Sequence, residues 1–291
     1  MAQLDLSELP HSNDPTLVLA HSPSSTSCLP VVVTGIPSEA ELTNDFHPVA
    51  RLFVAHGGRG RRWYRQGGQL HSMRTEPGMM ELYEKGLLFD HCQWSGEAGR
   101  CVLVEFDDAD VQAITHGDMR TLALRTQHEV FNSQVSQIVF ELAGEALASH
   151  PNGQLYAQGL SVALLGLMGT NYSATPRRLP LHSGRLGAVQ QKRLLDLIDA
   201  ELDSNLSLGR LADEVGLSPF HFARLFKATF DLTPHAYVLN RRLSAAIRAL
   251  QEDHGRSIVD IAIAFGFASQ SHMTELMRRK FGATPREVRH G

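Results

Sequence analysis

The sequence is poor in cysteine: 291 residues hold three, Cys28, Cys92 and Cys101. Three thiols cannot build the disulfide framework on which small secreted proteins rest, which points to a reducing compartment, the cytoplasm. No apolar run reaches the roughly 18 residues that a membrane-spanning helix needs, so no membrane partner is expected. Residues 1–10 carry acids and no basic-then-apolar pattern, so no secretion signal is read. Charged residues are also few, at 20%, but hydrophobic residues make up 43%. Such a chain buries real cores and is not globally disordered. Collagen, coiled-coil rods, secreted mini-proteins and membrane proteins are excluded on these grounds.

What charge there is divides unevenly. Residues 1–183 carry 12 Lys/Arg against 19 Asp/Glu, and residues 184–291 carry 15 against 12. A basic end on an acidic chain points to a polyanionic partner. The length suits about two domains. Residues 1–29, rich in Ser, Pro, Asn and His, read as a flexible tail. Over residues 30–107 short apolar segments alternate with glycine turns; residues 31–33, 51–55, 79–83 and 101–106 read as strands of an antiparallel barrel or sandwich. The period then changes. Residues 129–148 carry a helical stripe (Val130, Val135, Ile138, Val139, Leu142, Leu147). Residues 155–168 predict a second helix, apolar on most sides, which must be buried or shared with a second copy of the chain. Pro176, Arg177, Arg178 and Pro180 mark a linker over residues 171–186, and residues 187–291 read as almost wholly helical.

Within that last part lies a repeat. Residues 207–216 (SLGRLADEVG) align on residues 257–266 (SIVDIAIAFG) at an offset of 50. After one insertion the offset is 51, and Ser218, His221, Phe222, Leu225, Phe226, Phe230 and Thr233-Pro234 align on Ser269, His272, Met273, Leu276, Met277, Phe281 and Thr284-Pro285. Each unit has the logic of a helix-turn-helix. Ser207 and Ser257 cap a short helix; Gly216 and Gly266 end it in the left-handed region; Ser218 and Ser269 cap a second helix. Thr233-Pro234 starts a connecting helix over residues 234–251. On the second helices, Phe222, Leu225, Phe226 and Phe230, and Met273, Leu276, Met277 and Phe281, are expected in the core. Phe220, Ala223, Arg224 and Lys227, then Gln270, Ser271, Thr274, Glu275 and Arg278, face away, as a helix reading a major groove requires. Arg241, Arg242, Arg279 and Lys280 are expected on phosphates, which fix register without reading sequence.

Residues 188–291 resemble the DNA-binding domain of the AraC/XylS-type transcriptional regulators. The segment 261–285 (IAIAFGFASQSHMTELMRRKFGATP) resembles the family signature, and 218–227 (SPFHFARLFK) its first recognition helix. The resemblance implies that two recognition helices enter successive major grooves of double-stranded DNA, with Phe220, Ala223 and Arg224, then Gln270, Ser271, Thr274 and Glu275, at the base-reading positions. Glu275 departs from the arginine many members carry there; an acid accepts from cytosine N4 or makes no base contact. The resemblance also implies that residues 30–170 are a cupin-like β barrel that binds a small-molecule effector, with two following helices that support a homodimer. The fold class expected is therefore α+β, an antiparallel barrel and two helices followed by an all-α tandem helix-turn-helix domain.

An enzymatic cupin would need a close His pair. His71, His91 and His116 are single and widely spaced beside the acids Glu81 and Glu105, so no metal, no cofactor and no catalysis are expected. Cys92 and Cys101 could meet across a hairpin as a redox pair; buried small residues are the plainer reading. The segment 59–65 (RGRRWYR) carries more. In a strand, Arg59, Arg61, Trp63 and Arg65 share one side and Arg62 and Tyr64 the other. Guanidiniums beside an indole suit an anionic, ring-bearing effector, and Arg61-x-x-x-Arg65 resembles the arginine pair with which PilZ domains hold cyclic di-GMP. The bland alternative is a solvated edge strand. The function expected is a cytoplasmic, effector-controlled, sequence-specific regulator of transcription, with RNA polymerase a further candidate partner. The competing readings are a cupin-type metal enzyme and an effector-independent DNA binder.

Overall fold

The computed structural model describes residues 18–22, 28–148, 152–174, 184–253 and 255–290. They form two compact units, one built on strands and one on helices.

The strand unit contains β1 (Val18–Ser22), β2 (Val31–Ile36), β3 (Glu39–His47), β4 (Ala50–His56), β5 (Gly60–Gln66), β6 (Gln69–Thr75), β7 (Met79–Tyr83), β8 (Leu87–Gly96), β9 (Gly99–Phe106) and β10 (Gln127–Phe131). Helices α1 (Asp108–Thr115) and α2 (Ser133–Leu147) belong to it, with most of α3 (Gln154–Asn171). The strands do not close into one barrel. They pair as two antiparallel sheets, ordered β1-β2-β9-β4-β7-β10 and β3-β8-β5-β6. The Gly67-Gly68 loop joins β5 to β6; both glycines have positive φ (55° and 80°), as a two-residue hairpin turn of this hand demands.

The inner face of the four-stranded sheet supplies Tyr64, Met73, Leu87, Phe89 and Cys92, which cluster with Tyr83 and the partly buried Phe53 of the six-stranded sheet. Every residue of β7 is buried. A strand covered on both faces reads as a near-continuous apolar run, and Met79-Met80-Glu81-Leu82-Tyr83 obeys this apart from one carboxylate. α2 contacts β1, β2 and β9.

Two expectations are corrected here, and the redox-pair alternative for Cys92 and Cys101 falls. The composition of residues 1–29 reads as a tail, yet Val18–Ser22 pairs with β2 as a strand, and Cys28 and Leu29 are buried. A short β-forming stretch between polar neighbours is enough to extend a sheet; residues 1–17 and 23–27 lie outside the described residues. The helical stripe that seemed to begin at 129 begins four residues later. Glu129 takes φ 54° and Val130 sits in β10 opposite Met80, before Asn132 caps α2 by accepting from Val135 N. Cys92 and Cys101 do not meet across a hairpin: they lie in different sheets, opposite Leu42 and Tyr64, and opposite Thr34 and Ala55. Both are free and buried, and burial pushes both thiols up, away from the reactive thiolate. Of the segment expected as a linker, residues 175–183 lie outside the described residues.

The helical unit contains the start of α3 and then α4 (Ala188–Ala200), α5 (Leu208–Glu214), α6 (Pro219–Phe230), α7 (Pro234–Glu252), α8 (Ile258–Ala264), α9 (Gln270–Phe281) and α10 (Pro285–His290). The repeat seen in the sequence is repeated in the caps. Ser207, Ser218, Ser257 and Ser269 each accept from the amide three residues on. Gly216 and Gly266 follow α5 and α8 with φ of 68° and 71°. Ala212 and Ala262 are fully buried, which lets the second helix of each pair cross closely. Ile261, Ala262, Met273, Leu276 and Met277 form a core with Leu243, Ala246 and Leu250 of α7. One core assignment fails. Leu225 and Phe230 pack at the edge of the core, half-buried, but Phe281 is 47% exposed, with the Lys280 ammonium 5.7 Å from its ring centroid. Phe281 is the last residue before the αL cap at Gly282, where the helix has run past the core.

Candidate nucleic-acid interface

α6 and α9 are the second helices of the two helix-turn-helix pairs. α6 packs by Phe222 and Phe226, both fully buried. Its opposite side presents Phe220, Ala223 and Arg224, all half-buried, and the exposed Lys227. α9 packs by Met273, Leu276 and Met277. It presents Gln270, Ser271, Glu275, Arg278 and Arg279 as exposed and Thr274 as half-buried. Thr274 Oγ1 donates to the Gln270 carbonyl at 2.8 Å, which leaves its methyl as the outward group. Between the two pairs runs α7, whose 19 residues span about 28 Å at 1.5 Å per residue.

Of the expected phosphate contacts, Arg279 is exposed. Lys280 donates to Asn240 Oδ1. Arg241 holds Asp199 in a two-pronged pair, with Nε 2.9 Å from Oδ1. Arg242 is overturned as a phosphate contact. Its Nε donates to the Leu202 carbonyl at 2.8 Å, Nη1 to Gly266 at 2.9 Å and Nη2 to Ser204 at 2.6 Å. The adjacent arginine points inward because i and i+1 on a helix face different directions; the sequence pattern alone could not say which of the two would do so.

In the strand unit, β5 alternates as expected. Arg61 and Arg65 are exposed and Trp63 is half-buried on the outer face, where Arg74 of β6 pairs with Arg61. Arg59 is exposed but precedes the strand. Tyr64 and Arg62 point inward. The inward set is what sequence reasoning missed as a site. Arg62 Nη2 donates to Glu81 Oε2 and to Tyr83 OH, and Tyr83 OH donates to the same carboxylate oxygen. Nδ1 of His128 lies 3.9 Å from Glu81 Oε2. The pair joins β5 of one sheet to β7 of the other. Burial is the largest single influence and works against the Glu81 charge, but the Arg62 guanidinium, His128 and the Tyr83 hydrogen bond together outweigh it and hold the carboxyl below its ordinary value. Burial and the Glu81 charge keep the Tyr83 phenol protonated, well above its usual range. One signal could have found this pair: the single acid inside the apolar run of residues 79–83, out of phase with the outward arginines of residues 59–65. The histidines weighed as metal ligands do not converge; among the described residues no three His, Cys, Asp or Glu groups come together.

A helix-turn-helix domain family matches residues 211–291. The virulence regulon transcriptional activator VirF of Yersinia enterocolitica is 35% identical over 104 residues, 36% of this chain and 38% of VirF. The chain thus spans about two fifths of the length of that relative. The probable transcription factor PqrA of Proteus vulgaris is 35% identical over 98 residues, 33% of this chain and 80% of PqrA. Among solved structures, a transcriptional regulator with an AraC-type DNA-binding domain from Chromobacterium violaceum shares 35% identity with a TM-score of 0.33, over 35% of this chain and 90% of its own.

Proposed function

Because the chain belongs to the AraC/XylS-type transcriptional regulators, we propose that it recognises a specific duplex DNA site with α6 and α9 and controls transcription in response to a small molecule. The observation that carries the reading is the tandem itself. Two helix-turn-helix pairs share one set of caps and are joined by a single connecting helix about 28 Å long, the tandem arrangement that two reading helices in successive grooves require. Phe220, Ala223 and Arg224, with Gln270, Ser271, Thr274 and Glu275, are assigned to base edges; Lys227, Arg241, Arg278 and Arg279 are assigned to phosphates. Arg241 then exchanges Asp199 for a phosphate, an exposed pair worth little to break. Activation of transcription, the role named for VirF, is the direction assigned. The protein acts in the cytoplasm as a homodimer and without catalysis.

The test is a binding titration on selected operator sequences over a range of salt. Affinity falls steeply as salt rises, because phosphate contacts release counterions. Arg224→Ala costs roughly 1–3 kcal/mol and relaxes preference at a single base pair. An equal loss on every sequence would make Arg224 a backbone contact, and an affinity indifferent to salt would end the DNA-binding reading.

For the effector, the outer face of β5 is assigned to an anionic, ring-bearing molecule, with cyclic di-GMP one candidate. Arg61, Arg65 and Arg74 have no acid within ion-pair distance among the described residues, and Trp63 lies between two of them along the strand. The guanidiniums would take phosphate and the indole a base. Arg61→Ala with Arg65→Ala abolishes nucleotide binding by calorimetry while the melting curve stays in place. Identical titrations for the parent and the double variant would remove this face as the site.

A further inference from the structure

The helical unit contains a cavity of about 330 Å³ that none of its DNA-reading residues uses. The first turn of α3, the loop before α5, α7, and the turn between α8 and α9 enclose it. Its size falls within the range of small-molecule sites. Its walls are about half apolar, supplied by Leu155, Val238, Leu239 and Phe267, and half polar. Two imidazoles and one guanidinium stand on the polar side, beside Asp203 and the amides Gln154 and Asn205. His272, on α9, has both ring nitrogens shut off from solvent and without a hydrogen-bond partner among the described residues. His235, on α7, is stripped of its charge by burial, its pKa lowered to about 4, and hydrogen-bonds the Asn152 backbone. Arg242 gives its donors to three carbonyls, and no carboxylate lies within ion-pair distance of it among the described residues. Desolvation lowers its pKa, with Asp203 the one acid that opposes this; Asp203 also lines the cavity but is exposed, so water screens it.

Buried polar atoms that have no partner ask for an explanation, and a partly desolvated cation beside a half-apolar cavity asks for an anion. Water could satisfy the imidazole, but it would neither fill the apolar walls nor neutralise the guanidinium. We propose that this cavity binds a small organic anion, a carboxylate on an apolar body, with the carboxylate between His272 and Arg242 and the body against Leu155, Val238 and Phe267. Such a ligand sits against the turn of the second helix-turn-helix, because Arg242 Nη1 holds the Gly266 carbonyl and His272 is on the reading helix. It would therefore set the position of α9 from within the DNA-binding unit, independently of any effector on the strand unit.

The test uses the full chain with acetate, phenylacetate and indole-3-acetate, each against its uncharged amide, followed by calorimetry and by the ring resonances of His235 and His272. At least one aromatic acid binds at least tenfold more tightly than its amide, with both histidines shifted. His272→Phe keeps the ring volume, removes both orphan nitrogens and raises the melting temperature, since an unpartnered polar group is replaced by an apolar one; it weakens the acid at least tenfold. Ala268→Trp, from an exposed position on the rim, blocks entry without touching the core. Equal binding of acid and amide, binding unchanged in both variants, or no binding of any acid at millimolar concentration each overturns the proposal. These measurements need no DNA, so they stand or fall apart from the DNA-binding reading. The effect on α9 does rest on it: the bound acid changes operator affinity at least threefold in the parent and not in Ala268→Trp, and an unchanged affinity with binding intact rejects the regulatory half alone.

Discussion

Replacing Glu81 with alanine should cost the strand unit about 3–5 kcal/mol, the range for removing one partner of a buried ion pair. Arg62 would be left with its charge between two sheets, hydrogen-bonded among the described residues to the Tyr83 hydroxyl and the Met73 sulfur and with no carboxylate paired to it. Arg62→Met should cost a similar amount by stranding the Glu81 carboxylate. The double change, Arg62→Met with Glu81→Leu, should cost markedly less than the two single changes added together, because apolar groups of similar volume fill the gap with no charge left unpaired. The pH dependence has a defined sign. The Glu81 carboxyl is held below its ordinary value, so its contribution is fully present above the unfolded pKa of about 4.3 and drains away as pH falls through the lower folded value. Urea melts of the parent from pH 7 to pH 3 should show that loss, and the double variant should show less of it. A double variant as unstable as the sum of its parts would mean that the pair contributes more than its own satisfaction.

The helical unit was legible in the sequence because it is local. Ser207, Ser218, Ser257 and Ser269 bind amides three residues away, and Gly216 and Gly266 need only their own φ, so the elements and their order follow from short windows. The copy at an offset of 50 supplies each window twice. The strand unit was legible only in part. Its strands pair across the chain, β2 with β9 and β4 with both β7 and β9, and no window contains both partners. The alternation at residues 60–66 did settle which arginines face out, since period two is a property of one strand. It could not reveal that Arg62 meets Glu81, because that contact depends on how two sheets stack. The split between Arg241 and Arg242 was hidden for a related reason. Both belong to the basic face of a helix in sequence, and only the loop before α5, folding back under α7, turns one of them into an internal tie. Phe281 misled because the matching position in the first unit, Phe230, does touch the core through Phe226 and Tyr237, whereas the second unit has no aromatic partner there.

Arg242→Ala should destabilise the helical unit by about 2–4 kcal/mol, while Arg241→Ala should stay within about 1 kcal/mol. The difference follows from what each guanidinium holds. Arg241 grips one exposed carboxylate. Arg242 satisfies the carbonyls of Leu202, Ser204 and Gly266 together; the Ser204 carbonyl also accepts from Leu206 N, so truncation strands chiefly those of Leu202 and Gly266. Lysine should not rescue it, because a point charge on a flexible stem cannot span three acceptors that a planar fork reaches at once. The same contact can be probed from its other side. A Cβ at Gly266 would lie 2.8 Å from Arg242 Cζ, whereas one at Gly216 meets nothing within 4 Å. Both glycines carry positive φ, so alanine at either position pays a conformational penalty of about 1–2 kcal/mol; Gly266→Ala should exceed Gly216→Ala by the energy of displacing the guanidinium. On DNA, folded Arg242→Ala should keep the parent's salt slope, while Arg279→Ala lowers it by about one. A normally stable Arg242→Ala with a reduced slope would return Arg242 to the phosphate backbone and leave the loop before α5 to be held by some other means.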